Sequence, residues 1–149
     1  MCGLARGVDS FAADIVNDEK KNFPDIVLEG AAPIRSWLKS KDAEIRRNVS
    51  LCDEVFVISE KYSKDCYQKR NMFMVDRSDR VIAVYDERGE GGTYNTVKYA
   101  QKVGKDIFVL DLNFGDEDKD AAFVYSLEKA LGFETNENEG KKHGKKRKK

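Results

Sequence analysis

Apolar positions along the chain recur at two spacings, and the two spacings alternate. Ala12, Ile15 and Val16 share one face of a helical repeat that begins after Asp9, a candidate N-cap. Ile26-Val27-Leu28 is a short apolar run after Pro24 and predicts a strand, ended by Ala31-Ala32-Pro33. Ile45, Val49 and Cys52 return to helical spacing, with Ser40 as the expected cap. Glu54–Ile58 reads as a strand, residues 65–77 as a helix, and Val81-Ile82-Ala83-Val84-Tyr85 as the strongest strand of the chain. Thr93 is the expected cap of a helix whose inward face carries Val97, Ala100 and Val103 and whose terminator is Gly104. Ile107-Phe108-Val109-Leu110 is the next strand, and Phe123, Leu127, Ala130 and Leu131 stripe a last helix over residues 119–131. Helices alternating with strands predict an α/β fold, with a parallel sheet and helices on both faces.

Charge divides the chain. Residues 141–149 hold seven of the 27 Lys and Arg, so residues 1–140 carry 20 bases against 27 acids. An acidic body argues against a broad nucleic-acid surface on the fold, while the basic tail predicts a weak, salt-sensitive contact with polyanions. From Thr135 onward the composition is polar, and residues 135–149 read as a disordered basic tail. Residues 113–134 hold the C-terminal amphipathic helix, and residues 1–112 the main domain. The chain lacks a run of roughly 18 apolar residues, which excludes a membrane-spanning helix, and its start lacks the pattern of a signal peptide. The expected location is cytoplasmic. The three cysteines, Cys2, Cys52 and Cys66, show no CxxC or metal-ligand spacing and read as small buried hydrophobes or free thiols. His143 is the single histidine and lies in the tail. That removes Ser-His-Asp and Cys-His chemistry and a histidine zinc site. No catalytic residue and no metal ligand is singled out.

Three segments carry polar chemistry at predicted strand-to-helix junctions. In Glu87-Arg88-Gly89-Glu90-Gly91-Gly92-Thr93 the glycines admit a ligand close to the backbone, and the helix amides with the Thr93 hydroxyl favour an anion. Gly3-Leu4-Ala5-Arg6-Gly7-Val8-Asp9 is a second glycine turn, where Arg6 could pair with a phosphate. Tyr67-Gln68-Lys69-Arg70-Asn71 opens a helix and places Arg70 and Asn71 just before an apolar stretch. Turns that follow successive strands of a parallel sheet share one edge, and ligands bind there. A solvated helix face is the alternative for the third segment, a flexible turn capped by Thr93 for the first, and a turn with a solvent-exposed Arg6 for the second. Trp37 is expected half-exposed near the same edge.

Taken together, three blocks resemble the YpsA-like branch of the SLOG superfamily. Gly3-Leu4-Ala5-Arg6-Gly7-Val8-Asp9 with Ala12-Ala13 resembles the family's G-x-A-x-G-V-D-x-x-A-A block. Val57-Ile58-Ser59-Glu60-Lys61-Tyr62, Cys66 to Asn71 and Met74 to Asp79 resemble its central block. Ile82 to Asp86, Gly91-Gly92-Thr93 and Thr96-Val97 with Tyr99-Ala100 resemble its last. The resemblance implies a Rossmann-like domain that binds or senses a nucleotide or ADP-ribose-like small molecule; no cofactor is identified. Gly91, Gly92 and Thr93 are the expected phosphate contacts, and Arg6, Asp9, Arg70 and Asn71 the contacts to the remaining polar groups. Related LOG-type phosphoribohydrolases carry a catalytic Glu three residues after the matching Thr, and here that position is Thr96. A LOG-like hydrolase and a DprA-like DNA-binding protein are therefore the alternative readings. The resemblance also implies a further N-terminal strand and helix. The chain opens on what reads as a strand's last residues, so the expected domain is N-terminally truncated. The absent strand is expected between the strand ending at Cys2 and that at Glu54–Ile58. Unpaired edges would favour aggregation or a strand-exchanged homo-oligomer.

Overall fold

The computed structural model describes residues 1–84, 89–110 and 126–132. The chain divides into two compact units, Met1–Leu112 and Asn113–Lys149. In the first unit, helices and strands alternate: α1 (Val8–Glu19), β1 (Glu29–Ala32), α2 (Ala43–Leu51), β2 (Glu54–Val57), α3 (Cys66–Asp76), β3 (Arg80–Val84), α4 (Gly92–Lys102) and β4 (Asp106–Leu110). Every described ladder is parallel, as crossover helices require. β1 pairs with β2 with Gly30 opposite Val55, and β3 pairs with β4 with Ile82 opposite Phe108. Cys2 adds a bridge to Gly30 on the other side of β1. The fold is α/β, as the alternating pattern predicts, and Rossmann-like, as the resemblance implies. Of the second unit, residues 126–130 are helical. The rest of the helix expected over 119–131, the tail 135–149 and residues 85–88 of the glycine-rich loop lie outside the described residues.

Several local expectations need correction. The second strand is Glu29–Ala32, not Ile26-Val27-Leu28. Val27 is exposed, whereas Leu28 is buried and clamped to the start of β2: its N–H donates to the Asp53 carboxylate at 2.7 Å and its carbonyl accepts from Asp53 N at 2.9 Å. The small residues Gly30, Ala31 and Ala32 form the strand because the neighbouring chain comes too close for larger ones. A Cβ on Gly30 would lie 2.7 Å from Leu4 Cδ2 and 2.9 Å from Cys52 Sγ. β1 also occupies the position between Cys2 and β2.

Caps are the second correction. Asp42, not Ser40, caps α2, accepting from Glu44 N at 2.9 Å and Ile45 N at 3.2 Å. Ser40 instead accepts from Asp42 N and closes a 3-10 turn over Arg35–Lys39. Gly7 (φ 79°) precedes α1 and Gly91 (φ 99°) precedes α4, so Asp9 and Thr93 lie inside the first turns rather than at the caps. Gly104 ends the region after α4 at φ 73°, as expected for a glycine terminator, but Val103 is exposed.

One core cluster gathers around the N-terminal turn: Cys2, Leu4, Ala13, Leu28 and Ala32, with Val16, Trp37, Leu38, Val49 and Val55 packed against it. Helices α1 and α2 pack together, and α3 contacts both α4 and β1.

Candidate functional site

The turn from Gly3 to Gly7 leaves the Cys2 bridge and enters α1. Leu4 adopts φ 60°, a left-handed conformation unusual for a branched residue, and its side chain is wholly buried. Such a backbone persists only when its surroundings fix it. Here three polar side chains do so. Asp9 reaches back from the first turn of α1 and accepts from Gly3 N at 3.1 Å and Ala5 N at 3.0 Å. Glu44, from the first turn of α2, accepts from Gly7 N at 2.9 Å and from the Ser10 hydroxyl at 2.6 Å. Asn48, wholly buried one turn further along α2, donates to the Ala5 carbonyl and to Ser10 Oγ, both at 2.8 Å. The Ser10 hydroxyl, followed by the Gly7 amide, holds the Glu44 carboxyl below its usual range.

From the other side, α3 brings Arg70 onto the same turn. Its Nη1 donates to the Gly3 carbonyl and its Nε to Asn71 Oδ1 at 2.8 Å. A Cβ on Gly3 would stand 2.6 Å from Arg70 Nη1 and 3.1 Å from Asp9 Oδ2, so a side chain there would push the guanidinium off the turn. Burial lowers the Arg70 guanidinium below its usual range, and the negative charge of Asp9 opposes that shift. Tyr67, one turn before Arg70, is exposed, and its ring meets Trp37 edge-on at 5.9 Å. Trp37 Nε1 points at the Leu4 carbonyl at 3.5 Å. The strand end at Cys2, the turn, α3 and the Trp37–Tyr67 pair thus form one continuous feature.

Of the residues singled out from sequence, Asp9, Arg70 and Asn71 come together at this turn. Arg6 faces outward, largely exposed, with Nε 3.6 Å from Asp42 Oδ2. Gly91, Gly92 and Thr93 form the start of α4, and among the described residues they share no hydrogen bond or ion pair with the Arg70 group. A Cβ at Gly91 or Gly92 would meet nothing within 4 Å, so their backbone is open to approach. Thr96 uses its hydroxyl on the Gly92 carbonyl one turn back, at 2.8 Å. Glu44, Asn48 and Ser10 were not anticipated. Asn48 carried a signal, since it interrupts the apolar stripe of Ile45, Val49 and Cys52 with a polar side chain. Glu44 carried none beyond being an acid in a helix's first turn.

A strand, a glycine turn and a helix, with a cation delivered to that turn by a later helix, define a Rossmann-like α/β domain with its polar cluster at strand ends. The model of the YspA SLOG family matches residues 1–114, and the chain belongs to that family. It is similar to the uncharacterized SPbeta prophage-derived protein YoqJ of Bacillus subtilis (strain 168), 30% identical over 132 residues, which cover 75% of this chain and 77% of that protein. It is also similar to UPF0398 proteins of Bacillus cereus (strain B4264) and Bacillus thuringiensis (strain Al Hakam), each 30% identical over 105 residues. Those alignments cover 66% of this chain and 57% of each relative, so the chain spans little more than half the length of the UPF0398 proteins. Among the described residues, no helix is long and apolar enough to cross a membrane.

Proposed function

We propose that this domain binds a nucleotide or nucleotide-derived small molecule at the turn between Cys2 and α1. The observation that carries the reading is the meeting of Arg70, Asn71 and Asp9 at the turn that follows the parallel Cys2–Gly30 bridge, the kind of sheet edge where ligands bind. In this reading Arg70 supplies the cation for a phosphate group. The exposed Tyr67, braced by Trp37, offers a π face to a base. Gly91, Gly92 and Thr93 supply helix-terminal amides for a second phosphate, and Arg6 is an outer contact. Asp9 and Glu44 already occupy the amides of Gly3, Ala5 and Gly7. The first turn is therefore suited to hydroxyl groups, which donate to carboxylates, better than to a bare anion.

Titration calorimetry with ATP, NAD and ADP-ribose tests the proposal. At least one should bind the wild-type chain. Arg70→Ala should lose that binding by tenfold or more, from one charge-assisted hydrogen bond of about 1.5–3 kcal/mol. Failure of all three to bind a cooperatively folded chain would reject the reading.

A further inference from the structure

Two of the three thiols converge on one spot in the core. Cys2 and Gly30 are bridge partners, so the Cys2 side chain projects to the side on which a Gly30 Cβ would stand. Cys52, at the end of α2, folds its sulfur onto that spot, 2.9 Å from the Gly30 Cβ position. Glycine at position 30 is what leaves room for the Cys52 sulfur beside the Cys2–Gly30 bridge. Cys2 is buried, while Cys52 is half-buried and donates to the Asn48 carbonyl at 3.3 Å. Both thiols are unpaired covalently, and the third, Cys66, is buried at the start of α3.

We propose that Cys2 and Cys52 form a reversible intramolecular disulfide when the protein meets a peroxide, making this pair an oxidation site at the root of the Gly3–Gly7 turn. The Cys2–Gly30 bridge and the Cys52 sulfur beside Gly30 bring the two cysteines to adjoining positions, as a disulfide requires. Contact between the two thiols shifts Cys2 below the usual thiol range and Cys52 above it, the direction that makes Cys2 the more readily deprotonated of the two. The Cys2 thiolate attacks one peroxide oxygen, and the O–O bond breaks. The departing oxygen takes a proton and leaves as water. The Cys2 sulfenic acid is then attacked by the Cys52 sulfur: the S–S bond forms, the S–O bond breaks, and the hydroxyl leaves with the Cys52 proton as a second water. Two thiols are oxidised and one hydrogen peroxide is reduced. The product ties the residue before Gly3 to the start of β2.

The test treats the full chain with stoichiometric hydrogen peroxide, then alkylates it under denaturing conditions and maps peptides without reduction. The expected result is a Cys2–Cys52 cross-linked peptide pair, with Cys66 alkylated and with both thiols recovered after dithiothreitol. Cys66→Ser should leave the cross-link unchanged, and Cys52→Ser should abolish it. Recovery of Cys2 and Cys52 as free thiols, over-oxidation of either without a cross-link, or a cross-link between two chains would each overturn the proposal. The wild-type map alone is decisive, so the outcome does not depend on how well the serine variant folds.

Discussion

Asn48 takes no part in any charge-based chemistry, yet it ties α2 to the Gly3–Gly7 turn and to α1. It is wholly buried, donating to Ala5 and Ser10, and its own carbonyl accepts from Cys52. Asn48→Ala leaves the Ala5 carbonyl without its donor, a loss of about 1–3 kcal/mol measurable by urea unfolding. The side-chain Oδ1 has no partner, so removing it relieves one cost and holds the loss to the lower part of that range. Asn48→Asp should be worse, because it buries a carboxylate where an uncharged group stood. Glu44 makes the turn sensitive to acid. Its carboxyl is held below the usual range, so its contribution is complete above the ordinary Glu value of about 4.3 and is lost as pH falls through the lower folded value. Thermal midpoints of the wild type should therefore drop on acidification, and Glu44→Gln should show a shallower drop. Asp53, Glu60 and Asp65 are held low by Lys20, Arg35 and Lys69 and keep part of the slope in that variant. Equal slopes for the two proteins would refute the role given to Glu44.

At the level of elements, most of the architecture was legible because helical and strand spacings leave strong traces. α3, β2, β3 and β4 fall within a residue or two of their expected spans. β1 lies three residues beyond the bulky run Ile26-Val27-Leu28 that strand propensity favours, because contact with Leu4 and Cys52 leaves no room for a side chain at Gly30. Caps were misread for a related reason. Ser40, Asp9 and Thr93 are good capping types, but glycines at positive φ and the neighbouring Asp42 took those positions. In the candidate site, Arg70, Asn71 and Asp9 were visible as polar residues at junctions, but the fixing of the turn by Glu44 and Asn48 was not. Those contacts span 34 to 43 residues, and spacing along a single chain does not encode them. Gly30→Ala tests the reading of β1. The added methyl meets Leu4 and Cys52 well inside contact distance, and overpacking of this kind costs about 1–3 kcal/mol. An unchanged urea midpoint would show that the neighbours move aside freely.

Within the first unit, no described ladder joins the β1–β2 pair to the β3–β4 pair. What connects them is α3, which contacts α4 on one side and β1 on the other. Val75 lies in this helix and is almost wholly buried. Val75→Ala should cost about 1.5–3 kcal/mol, and amide exchange should speed up in both strand pairs by a similar factor. Faster exchange in one pair alone would mean that the pairs open independently and that α3 does not couple them.

The chain contains one tryptophan, and the fold has put it beside the candidate site. Trp37 shares its edge with Tyr67 and directs its indole N–H at the Leu4 carbonyl. Its emission is therefore a single-position optical signal, uncomplicated by any second indole. Occupation of the turn, displacement of Leu4 or stacking on Tyr67 would each change the polarity and quenching around that one ring. The protein carries a built-in, label-free fluorophore where an observer would choose to attach one.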